Sequence, residues 1–202
     1  MLRIEDIAVG ARTRNSSDSL DFFVGGIATT ATSVVTSVKG SSLQGQALKF
    51  KASAPVVLGA RLFDGAQDVL VSALAGGSLS VTVDTKDARI TGGNGRGVPA
   101  GNVTEPVLRA AKADLTGDGL DEVVFATSSD QPTLQVMSAA NSADPAAGLQ
   151  FGDPIVVNRM LAVAVGNFFG DGPVVAILVA QIDASLLLQY YAVNPSLGLA
   201  PL

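Results

Sequence analysis

The stretch KADLTGDGLDEVVFA, Lys112–Ala126, carries the densest chemistry in the chain. Oxygen-bearing side chains fall at alternate positions, Asp114, Thr116 and Asp118; Gly119 follows, then Asp121 and Glu122, then an apolar run. An Asp-Gly pair before a short apolar run reads as a turn feeding a buried strand. The same pairing stands on both sides: Asp64-Gly65 lies 54 residues upstream and Asp171-Gly172 lies 53 residues downstream. Periods of that length signal a stacked or radial repeat architecture.

Each copy follows one grammar. An apolar stretch leads in (APVVLGARL, PVLRAAKA, MLAVAVGNF), the Asp-Gly turn follows, and a buried strand comes next (DVLVSAL, EVVFAT, VVAILVA). After a turn comes a further strand: SLSVTV, TLQVMS or SLLLQYYAV. In SLSVTV the residues Leu79, Val81 and Val83 alternate with Ser and Thr, the period of a strand with one buried face. Outer strands are expected at ALKFKA and LQFGDPIVV, and the β-branched content of TTATSVVTSV points to strand rather than helix.

The expected fold is therefore all-β. It is a β-propeller segment of about four blades, each a four-stranded antiparallel sheet, in a single repeat domain over 1–202 with approximate repeats 1–54, 55–104, 105–159 and 160–202. A β-sandwich or solenoid is the competing architecture. RIEDIAVGA, at the start, resembles the half that follows the loop in each copy, so the first blade is expected to lack its innermost strand and the last its outermost. Ends that do not complement one another suggest a segment of a longer propeller, with a four-bladed ring as the alternative.

Composition narrows the function classes. Of 202 residues, 48% are hydrophobic and 15% charged, which excludes a disordered chain. The longest apolar run, VVAILVA, is seven residues, against the roughly 18–20 of a spanning helix, so no membrane insertion is expected. The net charge of −5 and the lack of a basic cluster argue against nucleic acid as a partner. The chain has no cysteine and no histidine, which removes thiolate catalysis, a Ser-His-Asp triad and Cys/His zinc sites within it. Glu5 and Asp6 stand where a signal peptide needs an apolar core, so no export signal is visible.

The pattern ADLTGDGLDEVVF, with its partial matches ARLFDGAQD and GNFFGDGPVV, resembles the calcium loop of FG-GAP/VCBS repeats, the units of integrin-α-like propellers. The resemblance implies a cell-surface or secreted protein that contacts other proteins or glycans. It also implies structural calcium held by Asp114, Thr116, Asp118, the carbonyl of Leu120, and Glu122, with Asp121 facing solvent or supporting the turn. Calcium takes about 6–8 hard oxygen ligands, and alternate residues of a tight curl can converge on one point. Thr116 stands where the family offers Asn or Asp, so a weaker site is expected. An EF-hand fits poorly, because its bidentate twelfth position would fall at Phe125. A metal-free Asx-type turn is the alternative reading of the same residues.

In the third loop the matching positions are Asn167, Phe169, Asp171, Pro173 and Val175; in the first they are Ala60, Leu62, Asp64, Ala66 and Asp68. Two side-chain oxygen donors survive in each, so these loops are expected to keep the turn without the ion. Lesser signals are discounted. GGNGRG, 92–97, lacks the phosphate-loop pattern and a following helix. The sequons at Asn15 and Asn102 are near chance, Tyr190 and Tyr191 read as packing residues, and Asp121 and Glu122 are too close for glycosidase work. The expected function is non-catalytic: a calcium-stabilised binding or scaffolding module for protein or glycan partners. The rivals are a lectin-like propeller and an accessory domain of a larger secreted enzyme or toxin.

Overall fold

In a computed structural model of the chain, the described residues are 56–64, 107–127 and 132–202, together with the backbone of strands over 2–11, 20–28, 33–39, 45–50, 69–74, 78–83 and 96–98. The chain divides into two compact units, Met1–Val107 with Ala139–Leu149, and Leu108–Ser138 with Gln150–Leu202. Among the described residues every regular element is a strand, apart from one 3-10 turn at Pro145–Ala147. None of them forms a helix long and apolar enough to cross a membrane.

The strands form four antiparallel sheets. The first joins β1 (Leu2–Ala11), β2 (Leu20–Ala28), β3 (Ser33–Lys39) and β4 (Gly45–Phe50) in sequence order. The second joins β5 (Val56–Ala60), β6 (Val69–Leu74), β7 (Ser78–Val83) and β8 (Arg96–Val98). The third runs from β9 (Val107–Ala113) through β10 (Glu122–Thr127) and β11 (Thr133–Ala139) to β12 (Leu149–Phe151), and β13 (Ile155–Val156) also pairs with β11. The fourth joins β14 (Met160–Gly166), β15 (Val174–Ala180), β16 (Leu186–Val193) and β17 (Leu199–Pro201). Up-and-down order follows from short turns, because antiparallel neighbours need only a tight connection. Between β12 and β13 the chain passes Gly152-Asp153-Pro154. Pro154 has no N–H for a ladder, so the outer strand is broken in two there.

The expectation of incomplete end sheets is corrected. β1 contains RIEDIAVGA and is the first strand of a complete four-stranded sheet, paired to β2 from Leu2↔Ala28 to Ala11↔Leu20. The resemblance of this segment to the strand after the loop was misleading, because Ile, Val, Ala and Gly serve the strands on both sides of the loop. At the other end, three residues, Leu199–Pro201, suffice to close the last sheet, pairing as Val193↔Leu199 and Tyr191↔Pro201. Asn194 makes that turn possible: its Oδ1 accepts from the amides of Ser196 and Gly198, both at 2.9 Å.

The second unit is built around one core. In the third sheet the register Val124↔Val136 and Ala126↔Leu134 puts these four residues on one face. In the fourth, Val163↔Ile177 and Val165↔Val175 share a face with Val179. These two faces, with Leu115, Val157 and Leu197, form a single cluster of buried apolar side chains. Val124, Val136, Leu134, Val175 and Ile177 are fully buried, each worth roughly 1.5–3 kcal/mol of transfer free energy. At the rim the chains come close: a Cβ on Gly152 would lie 2.0 Å from the carbonyl oxygen of Leu197, so only glycine fits.

The pairing of faces has a topological meaning. β9 and β14 start 53 residues apart, as do β11 and β16. Val124 therefore corresponds to Ile177, and Ala126 to Val179. Like faces meet in this core. Sheets generated by rotation about one axis meet through unlike faces, front to back. Face-to-face stacking of like faces is the arrangement of a sandwich, the competing architecture read from the sequence. The opposite face of the third sheet, with Val123, Phe125 and Met137, is also fully buried, and Phe125 meets Phe151 edge-on at 6.1 Å.

Candidate metal centre

The connection between β9 and β10 is a curl that Asp114 holds together. Its Oδ1 accepts from the amide of Gly117 at 2.7 Å, and its Oδ2 from the amide of Gly119 at 2.9 Å. Both glycines lie in the left-handed region, at φ 81° and 85°, where an L side chain is strained. Asp118 Oδ1 accepts from the amide of Leu120 at 2.8 Å, a local Asx contact.

Glu122 closes the loop from inside. It is only 2% exposed. Its Oε2 accepts from the amides of Leu115 at 2.7 Å and Thr116 at 3.1 Å, and its Oε1 from the Thr116 hydroxyl at 3.0 Å. Burial pushes the Glu122 carboxyl above its usual range, and the charge of Asp118 pushes the same way; the bonds from Leu115 and Thr116 partly offset this. Asp121 turns aside to a 2.9 Å ion pair with Lys112.

The loop between β14 and β15 repeats part of this geometry. Asn167 Oδ1 accepts from the amides of Gly170 at 2.6 Å and Gly172 at 3.4 Å, at the same spacings as Asp114 to Gly117 and Gly119. Gly170 and Gly172 have φ of 92° and 122°. The position of Glu122 is taken by Val175, which is fully buried. Phe169, in place of Thr116, lies against Tyr190 at 4.8 Å between ring centroids. At the upstream loop, Ser142 Oγ donates to Asp64 Oδ2 at 2.7 Å, and the Asp64 amide donates to the Ser142 carbonyl at 2.8 Å. Leu62 of that loop is buried; Ala66 and Asp68 lie outside the described residues.

Of the five sequence-derived ligands, Thr116 and Glu122 are in direct contact, and Asp114 and Asp118 sit on the same curl. Leu120 is half-buried, with its amide on Asp118. Among the described residues no three carboxylate, thiol or imidazole groups converge as a formed metal cluster. The donor set nevertheless fits a hard cation. Three carboxylates, a hydroxyl and a carbonyl offer only oxygen, which suits calcium better than zinc. Each Asp114 oxygen accepts one amide and keeps further lone-pair capacity, as does Glu122 Oε1 after the Thr116 hydroxyl, whereas Glu122 Oε2 already accepts two amides. A buried carboxylate next to a second anion is also the environment a cation would relieve. The clamp of Glu122 on Leu115 and Thr116 was not read from the sequence. The available signal was the spacing shared by D-L-T-G-D-G and N-F-F-G-D-G, which marks position one as the loop's hydrogen-bond acceptor.

No protein-family model matches the chain, and no curated protein matches it. The functional reading rests on the loop and its surroundings.

Proposed function

We propose that the chain is a non-catalytic binding or scaffolding module in which the Asp114–Glu122 loop holds a structural calcium ion. The observation that carries this reading is the buried Glu122 carboxylate, desolvated beside Asp118, within a curl that two left-handed glycines already hold. Asp114, Asp118 and Glu122 supply the charge, and Thr116 and the Leu120 carbonyl supply neutral oxygens. With a hydroxyl at Thr116 the site is weak, in the range that suits calcium-rich surroundings such as the cell exterior. The loop consumes its own polar groups, and the chain brings neither histidine nor cysteine to them; both facts favour a structural ion.

The FG-GAP/VCBS resemblance supports a protein or glycan as partner and a cell-surface or secreted setting. It also proposes a propeller, and the succession of four-stranded up-and-down sheets agrees with that form. The like-face core of the second unit favours a sandwich for its two sheets. A lectin-like reading has one observation in its favour. An open groove of about 850 Å3 is walled by Val179 and Leu187 and edged by Asn158, Arg159, Gln189 and Tyr191, a mixture that suits a sugar. A glycan array on the full chain tests it.

Thermal melts with calcium and with chelator test the main reading. A ligand that binds only the native state stabilises it, by about 2.7 kcal/mol at 100 times its Kd. For a chain of this length that is roughly 5–10 °C. Asp118→Ala, at an exposed position, should fold normally and lose the calcium response. Identical melts of wild type under both conditions would remove the metal from the proposal.

A further inference from the structure

The fourth sheet buries one face in the core of the second unit and leaves the other open. On the open face the rows Ala162↔Leu178↔Leu188 and Ala164↔Ala176↔Tyr190 run across β14, β15 and β16. Leu188 is 50% exposed and Leu186, next along the strand, 62%. The corresponding face of the third sheet, at Val123, Phe125 and Met137, is fully buried. Their counterparts on the fourth sheet are Ala176, also buried, and Leu178 and Tyr190, half-buried; the exposed part of this face lies at Ala162, Ala164, Leu186 and Leu188. We infer that the open face of the fourth sheet docks on the same face of a second copy of this chain.

Three features select a second copy as the occupant. The face carries no charged residue: from 160 to 166, 174 to 180 and 186 to 193 the sequence holds none. In a two-fold contact surfaces meet their own copies, so a charge near the axis would confront itself. This surface is free of that penalty. The relief is self-complementary as well. The β14 side is a shallow lane of alanines, Ala162 and Ala164, and the β16 side a ridge of leucines, Leu186 and Leu188. A two-fold axis along β15, between the faces, lays the leucine ridge of each copy into the alanine lane of the other. Finally, the second unit already stacks like face on like face in its own core, and the contact repeats that mode of packing with apolar faces about 10 Å apart.

The area sets the strength. Three strands of seven or eight residues, about 4.8 Å apart, with the three-residue β17 beside them, cover roughly 400 Å2 per copy. With the rings of Phe168 and Phe169 at the rim, 48% and 57% exposed, two copies bury on the order of 1,000 Å2. That is the lower bound for a specific interface, so the dimer is a weak, reversible one.

Sedimentation velocity of the full chain, from about 1 to about 200 µM, should show a monomer–dimer equilibrium that stops at two. Leu188→Lys should raise the dissociation constant at least about tenfold, since each dimer buries two such charges. Leu186→Lys should do the same, and Val156→Lys, exposed on the third sheet, should change nothing. Far-UV spectra show that each variant is folded. A chain monomeric throughout, a dimer indifferent to both lysines, or growth beyond two would each overturn the inference.

Discussion

Replacing Glu122 by alanine in chelator should destabilise the protein even though no ion is present to lose. Its carboxylate accepts three bonds, from the amides of Leu115 and Thr116 and from the Thr116 hydroxyl, at 2.7, 3.1 and 3.0 Å. Thr116 is exposed, so water can replace the carboxylate at its amide and hydroxyl. Leu115 is buried, and its amide is left without an acceptor, at about 1–3 kcal/mol. Against this, the substitution removes a desolvated carboxylate whose charge the site disfavours. The net loss is placed at about 2 kcal/mol, or roughly 4–8 °C in Tm for a chain of this size. Urea denaturation followed by far-UV circular dichroism measures it, since the chain has no tryptophan to report. Glu122→Gln keeps one acceptor oxygen and should lose less. If Glu122→Ala in chelator lies within about 0.5 kcal/mol of wild type, the clamp is not what holds this loop.

Other outcomes follow from the same structure. Because burial raises the Glu122 pKa above 4.5, its contribution to metal-free stability is fully present below that ordinary value and is lost as pH rises through the raised one; urea midpoints against pH should show the fall, and Glu122→Gln should flatten it. Calcium affinity should run the opposite way, weakening as pH drops through the same raised value, because proton and cation compete for one carboxylate. Gly119→Ala, at φ 85°, should lose about 1–2 kcal/mol by urea denaturation from left-handed strain alone. Phe125→Ala, fully buried against Phe151, should lose about 3–5 kcal/mol in the same assay. Asn167→Asp should leave melts in calcium and chelator alike, because Phe169 and Val175 still supply no side-chain oxygen.

Strand content was legible because it is a local property. VVAILVA and SLSVTV are too short, too β-branched and too sharply bounded by Gly, Ser and Asp to be anything else, and both lie in strands. The curl at Asp114 was legible for the same reason, since Gly119 announces its backbone; the second left-handed glycine, Gly117, is a finding of the structure. What the sequence could not reveal was which faces meet. Val124 and Phe125 are equally apolar neighbours on opposite faces, and both are fully buried; a strand buried on both sides loses the alternation that would orient it. Spacing between copies gives correspondence, not the symmetry relating them, so the preference for a ring over a sandwich rested on the repeat alone. The role of Glu122 was half legible. Its position on the loop marked it as an oxygen donor, but its bonds to Leu115 and Thr116 depend on how the strand β10 returns beneath the curl.

Calcium titration into the metal-free full chain, followed by isothermal calorimetry, tests the central claim most directly. One site per chain is predicted for wild type, weakened by Thr116 relative to a fully acidic loop, and no measurable site for Glu122→Gln or Asp114→Asn. Absence of calcium heat in the folded wild type across calorimetric conditions and buffers, or a site that survives both substitutions, would contradict it.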